Sequence, residues 1–251
     1  MPGSRVGDAM SDHSSNAGRM PSTIEVETNS WFIVLVGSFN PAIFHPAWFN
    51  SHGVAQKGIA DSAQIEVIHR NASIFRLGDI QINVEPERFQ VQTENAPEIR
   101  LLDLVAKVFG DILPHTKIAS FGINRAVHFR AAAPEKRNDL FRELAPLENW
   151  GDWGRRIADN QGKLPGGLGS VSMKEMLEDG DSSGHMWVRV EPSVILAGTS
   201  GIFMTYNRHF GMKNLAIEDG AAKAISKLKE EFAPALEMGD KVLDNFFRRT
   251  R

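Results

Sequence analysis

The sequence contains no cysteine, which excludes disulfide bonds, thiolate catalysis, cysteine-ligated zinc and iron–sulfur clusters. It also has no long apolar run. The longest one, from Trp31 to Val36, is far shorter than the roughly 20 residues that a membrane-spanning helix needs. Residues 1–22 are rich in Ser, Gly, Asp and Asn and contain no apolar segment of the signal-peptide type. These absences predict a cytoplasmic protein that does not contact membranes.

An excess of positive charge is also missing, since the net charge is −3 and the isoelectric point is about 6.2. Bulk charge therefore does not favour binding to nucleic acid, although a local basic patch would not show in the total. Hydrophobic residues make up 42% of the chain and charged residues 24%, as in globular proteins. We predict a disordered tail at 1–22 and one globular domain at 23–251, with two half-domains at about 23–113 and 114–251.

Alternation and apolar runs predict the secondary structure. Trp31–Gly37 is a continuous apolar run that is typical of a central strand buried on both faces. Apolar and polar residues alternate at 80–84 and at 89–92, which predicts an antiparallel hairpin with one face in the core. A long helix at 219–249 is predicted from its apolar spacing. Residues 147–170 show no clear periodicity and are interpreted as a long loop.

The predicted elements follow the order β-α-β-β-β-α twice, with a longer helix at the end of the second half. The fold class is therefore α+β, with a mostly antiparallel curved sheet. A TATA-binding-protein-like saddle has this order of elements, and we use it as an analogy of fold alone. A helix-grip fold, with the sheet wrapped around the C-terminal helix, is the alternative.

No motif for a cofactor, a metal or a nucleophile is present. The eight histidines include no helical pair at i and i+4 of the zinc-protease type. The glycine-rich segment Gly166–Ser170 lacks the Lys-Ser/Thr of a phosphate-binding loop, so it is interpreted as a flexible loop. We therefore expect no cofactor and no metal site.

Two polar clusters are candidate ligand sites. On a regular strand at 122–130, Asn124, His128 and Arg130 would share one face, where they could bind an anion or a polar ligand. Asn207 and His209 form a similar cluster at the end of a later strand. The alternative is that these side chains face solvent or fasten a loop to the sheet.

An aromatic segment, Ser38–Phe49, places Phe44, Trp48 and Phe49 close together with two prolines. Aromatic residues at this density can mark a protein interface. A buried corner of the fold explains the same pattern and is the interpretation we favour.

The stretches GSFNPAIFHPAWF and GINRAVHFR resemble segments of a family of uncharacterised bacterial proteins of about this length. The resemblance covers about Trp31 to Trp150. It implies a bacterial cytosolic origin and no particular mechanism.

Taken alone, the sequence favours a non-enzymatic binding or assembly module that engages a protein partner or forms a homo-oligomer. The first alternative is a small-ligand-binding protein or an enzyme with a polar site around Asn124, His128 and Arg130. The second alternative is nucleic-acid binding on the sheet face, which the acidic balance disfavours.

Overall fold

The computed structural model describes residues 26–159, 166–179, 182–213 and 220–251. Nine strands and six α-helices are found in these ranges. The strands are β1 Thr28–Gly37, β2 Gln64–His69, β3 Ala72–Leu77, β4 Ile80–Glu85, β5 Arg88–Thr93, β6 Ile118–Arg130, β7 Val171–Asp179, β8 Ser182–Pro192 and β9 Gly201–Met212. The helices are α1 Pro46–Ser51, α2 Lys57–Asp61, α3 Ile99–Ala106, α4 Pro134–Leu144, α5 Gly151–Asp159 and α6 Ala222–Arg249.

All nine strands join one curved, open antiparallel sheet in the order β2-β3-β4-β5-β1-β6-β9-β8-β7. Its centre is the pair β1 and β6, the first strand of each half, and each of them is flanked by the last strand of its own half. The order is thus symmetric about the β1–β6 pair, except that the first half adds β2 at its outer edge. This symmetric order fits the saddle, and the α+β fold class with a long C-terminal helix is confirmed.

The core lies between one face of the sheet and the helices. Alternate residues of the central strands point into it, among them Trp31, Ile33 and Leu35 of β1, which are at most 2% exposed. The same cluster includes Val105 of α3 and Phe232 of α6, so one buried cluster draws on both halves. A smaller cluster joins the end of β6 to α4 and the C-terminal part of α6.

Two predictions about local structure need correction. Residues 147–170 are not one loop, because a 3-10 turn at Leu147–Trp150 and α5 lie within them. Trp150, Trp153 and Ile157 are spaced three and four residues apart, which is a helical period that the glycines between them obscure. The first half also contains one strand more than predicted after α2, because β2 and β3 are separate strands of a hairpin.

The prediction that β1 is buried on both faces is wrong for one of its faces. Trp31, Ile33 and Leu35 pack under the helices. Phe32 and Val34 lie on the opposite face and are only half-buried, and Val36, beside them, is 41% exposed.

The predicted disordered tail at 1–22 lies outside the described residues. No helix of the described residues is long and apolar enough to cross a membrane.

Candidate binding face

The face of the sheet opposite the helices, which we call the open face, carries most of the predicted ligand residues. On β6 the buried Ile123, Val127 and Phe129 point into the core. Asn124 and His128 therefore point to the open face, as the predicted alternation requires. The described helices that contact the sheet pack on the other face.

Strand pairing brings Asn124 and Asn207 into contact at the centre of the sheet. They are directly opposite each other on β6 and β9, and the side-chain amide of Asn207 donates a hydrogen bond to Asn124 Oδ1. A Cβ on Gly122 would lie 3.2 Å from the side-chain nitrogen of each asparagine. A glycine at 122 therefore leaves the room that this pair of amides occupies.

His209 lies two residues beyond Asn207 on β9, on the same face, and is paired with His185 of β8. The two imidazoles stack with their ring centroids 5.0 Å apart. Burial lowers the pKa of both histidines, and the nearby positive charge of Lys174 lowers both further. Since each pKa lies below its ordinary value near 6.5, both rings are neutral at pH 7 and can donate and accept hydrogen bonds.

His128 and Arg130 do not join this central cluster. Four residues separate His128 from Asn124, which is about 13 Å along a strand. His128 stacks on Phe203, with centroids 4.3 Å apart, and its Nδ1 lies 2.9 Å from the hydroxyl of Ser193. Arg130 donates to the carbonyl of Ala197 and to Glu27. Both side chains hold the connection after β8 against the sheet, as the loop-fastening alternative describes.

The central asparagines belong to a row that crosses all nine strands, and we call it the central row. Each member is the register partner of the next, so the nine side chains share the open face. From β2 to β7 the row consists of Gln64, Arg76, Gln81, Gln92, Phe32, Asn124, Asn207, Trp187 and Lys174. Adjacent strands are about 4.8 Å apart, so the row is roughly 40 Å long.

Many polar groups of the open face already bind one another. Gln81 Oε1 accepts hydrogen bonds from Arg76 at 3.0 Å and from Gln92 at 3.4 Å. Gln90 donates to Gln92 at 2.8 Å. This network fixes the amides in place, as the contact between the two asparagines does at the centre.

Sequence reasoning missed most of the central row. Phe32 is one of a run of apolar residues, and nothing in that run distinguishes the residues that face the helices from those that do not. Trp187 comes next to Asn207, and Lys174 next to Trp187, only through the pairing of β7, β8 and β9. Alternation gives the face of each residue, but the register that aligns residues from distant strands is not written in any one segment.

The aromatic segment forms a buried corner. Phe44 and Phe49 are 1% and 0% exposed, and they pack on Phe89 and Phe75 of the sheet. Their interpretation as interface residues is corrected, because a side chain with no exposed surface cannot contact a partner. Trp48 is half-buried and makes an edge-to-face contact with Phe44.

No group of three or more His, Asp or Glu side chains within the described ranges is arranged to hold a metal ion. No protein-family model matches the chain, and a search of curated proteins finds no match to it.

Proposed function

We propose that this chain is a non-enzymatic binding module that holds a protein partner on the open face of its sheet. The observation that carries the proposal is the apolar stripe formed by Phe32, Val34 and Val36 on the central strand β1. Central strands that are apolar on both faces are normally covered on both faces. Within the described residues the helices cover only one face, so the stripe is available to a partner.

The composition of the open face supports a protein as that partner. Its centre is neutral, with the two asparagines, Phe32, Trp187 and the imidazole of His209. Charged residues lie around this centre, among them Arg76 and Lys174 towards the ends of the central row. Protein interfaces have the same plan, with aromatic residues and few charges in the core and a polar rim.

Hydrogen bonds within the open face lower the cost of covering it. A buried amide that loses water and gains no partner costs about 1–3 kcal/mol. Asn207 and Asn124 already bind each other, and Gln92 binds Gln81. A partner can therefore cover these amides without leaving each of them unpaired.

The test compares Trp187→Ala with Met173→Ala. Trp187 lies on the open face, whereas Met173 is 73% exposed on the opposite face of the neighbouring strand. If the partner is a second copy, light scattering gives about twice the monomer mass of 27.8 kDa. Trp187→Ala then shifts the mass towards the monomer, and Met173→Ala does not.

If the wild type is a monomer, the immobilised chain is used to capture proteins from an extract of its host. A partner of the open face is retained by the wild type and by Met173→Ala but is lost with Trp187→Ala. A monomer whose captured proteins are the same for all three chains would contradict the proposal.

Nucleic-acid binding on the same face is the second candidate, because basic side chains lie near planar ones there. Among the described residues, the open face carries five basic and four acidic side chains; they are Arg76, Arg88, Arg130, Arg189 and Lys174, and Glu85, Glu94, Glu178 and Glu191. Basic side chains around planar ones suit phosphates and stacked bases. Fluorescence anisotropy with a generic duplex tests it, since such binding weakens steeply as salt rises.

The small-ligand or enzyme alternative around Asn124, His128 and Arg130 gains no support from this geometry, since His128 and Arg130 hold a loop. That the chain is a cytoplasmic bacterial protein stays a prediction from the sequence, and the proposed function does not depend on it.

A further inference from the structure

A cavity of about 380 Å³ lies between α4, the glycine-rich segment and the connection from β8 to β9. Its size falls within the range of small-molecule sites. The side chains that matter for its chemistry are Arg137, Asn138, Phe141, Arg142, Leu168 and Thr199. Among the described residues that line it are two arginines and no Asp or Glu.

Arg137 is the unusual member of this lining. Its guanidinium donates two hydrogen bonds to Oδ1 of Asn138, at 2.9 and 3.3 Å, and lies 5.5 Å from the ring centroid of Phe141. In the described part of the chain it has no ion pair with a carboxylate. Burial lowers the pKa of Arg137, because a desolvated charge is penalised.

A half-buried guanidinium that lacks a carboxylate partner is a site for an anion. Its planar fork binds carboxylate and phosphate oxygens with two parallel hydrogen bonds. Arg142, also in the lining, adds positive charge, although it pairs with Asp139 at 3.4 Å. Asn138 and Thr199 bring further groups that can donate hydrogen bonds.

The rest of the wall is apolar. Phe141, Leu168 and Pro192 line it, and Phe141 is 6% exposed. A ligand that fills the cavity therefore has an apolar body in addition to its charged group.

We propose that this cavity binds a small organic anion, a carboxylate or a phosphate monoester with an apolar body, and that Arg137 pairs with its charge. The proposal is independent of the function assigned to the open face, since none of the lining residues belongs to the central row.

The probes are benzoate and phenyl phosphate, with benzyl alcohol as the neutral counterpart and inorganic phosphate as the anion without an apolar body. Isothermal titration of the full chain is expected to show saturable binding of at least one of the two aromatic anions. The neutral compound and inorganic phosphate are expected to bind at least about tenfold more weakly, since a charge-assisted hydrogen bond contributes about that factor.

Arg137→Gln is expected to weaken the binding of the aromatic anion by about tenfold or more. The matched control is Arg155→Gln, which removes an exposed arginine of α5 that pairs with Asp152 outside the cavity. Leu168→Trp, on a different segment, fills the cavity and should also abolish binding. If Arg137→Gln lowers the melting temperature, its loss of binding could come from unfolding, and Leu168→Trp then provides the independent test of the site.

Three results would overturn the proposal. The first is that neither aromatic anion binds the wild type saturably, and the second is that benzyl alcohol binds as tightly as benzoate. The third is that a folded Arg137→Gln or Leu168→Trp variant retains wild-type affinity.

Discussion

Strands at equivalent positions in the two halves of the sheet differ in how deeply they are buried. β3 and β7 occupy matching places, each three strands out from the central strand of its own half. On the face that turns towards the helices, Phe75 of β3 is 0% exposed, whereas Met173 of β7 is 73% exposed. In the first half the segment after β1 returns over the sheet and places Phe49 on Phe75. In the second half α4 packs instead on the end of β6 and on β9, and β7 is left as an edge.

The cores beneath the two halves also differ in chemistry. The first half is held by a cluster of rings, in which Phe89 contacts Phe39, Phe44 and Phe109 at centroid distances of 4.8–6.0 Å. The second half adds ion pairs to α6, Arg125 with Asp240 and Arg208 with Glu231. The order of elements alone therefore does not determine how an outer strand is stabilised. What decides it is the path of the connection after each half's first strand.

The largest expected effect on stability comes from breaking the aromatic cluster. Phe89→Ala should lower the free energy of unfolding by about 4 kcal/mol, because it leaves a cavity among fully buried rings. The control, Met173→Ala on the exposed strand β7, should change it by less than about 0.5 kcal/mol. Urea unfolding followed by circular dichroism measures both. Similar losses for the two variants would mean that the halves are equally packed.

The second test addresses the ion pairs of the second half. Arg125 is 2% exposed, its guanidinium lies 2.8 Å from Asp240, and it stacks on Trp31 at 4.9 Å. Asp240→Ala should cost about 3 kcal/mol, since it removes the carboxylate from a buried charge.

The double variant Arg125→Met with Asp240→Leu should recover much of that loss, because apolar replacements of a buried pair are often nearly neutral. A double-mutant cycle from urea unfolding separates the two contributions. If Asp240→Ala alone costs less than about 0.5 kcal/mol, as a surface substitution does, the second half does not depend on this pair.

The sequence allowed the class of fold and the faces of the strands to be predicted, because alternation reports on which side of a strand the core lies. It placed Asn124 and Asn207 on two strands with similar polar clusters, but it could not predict that the two residues lie opposite each other. Their contact depends on β6 pairing with β9 across 83 residues of chain, and no local pattern encodes that register.

Burial of the aromatic corner could be predicted only as one of two interpretations. Density of rings is the same signal for a core and for an interface, and only the position of Phe89 and Phe75 beneath the segment decides between them. Likewise, the apolar run of β1 predicted that both of its faces would be buried. Composition does not report whether a second layer covers the sheet.

The smallest expected effect is a difference in acid sensitivity between the halves. In the second half, burial holds the pKa of His185 and His209 below their ordinary value near 6.5. The unfolded chain therefore binds protons on these rings before the folded chain does, and stability falls as pH drops through 6.5. In the first half, two hydrogen bonds from Arg100 lower the pKa of Asp79 to about 2, so this pair stays ionised over the same range.

We therefore expect wild type to lose stability between pH 7.5 and pH 5.5, and the double variant His185→Gln with His209→Gln to lose less. Asp79→Asn should lower stability by a similar amount at both pH values, because its carboxylate does not titrate between them. Urea unfolding at the two pH values measures these differences. Burial also lowers the pKa of His128 on β6, so the double variant should keep part of the pH dependence. A wild type and a histidine variant with the same pH dependence would show that the stacked pair of His185 and His209 does not distinguish the second half.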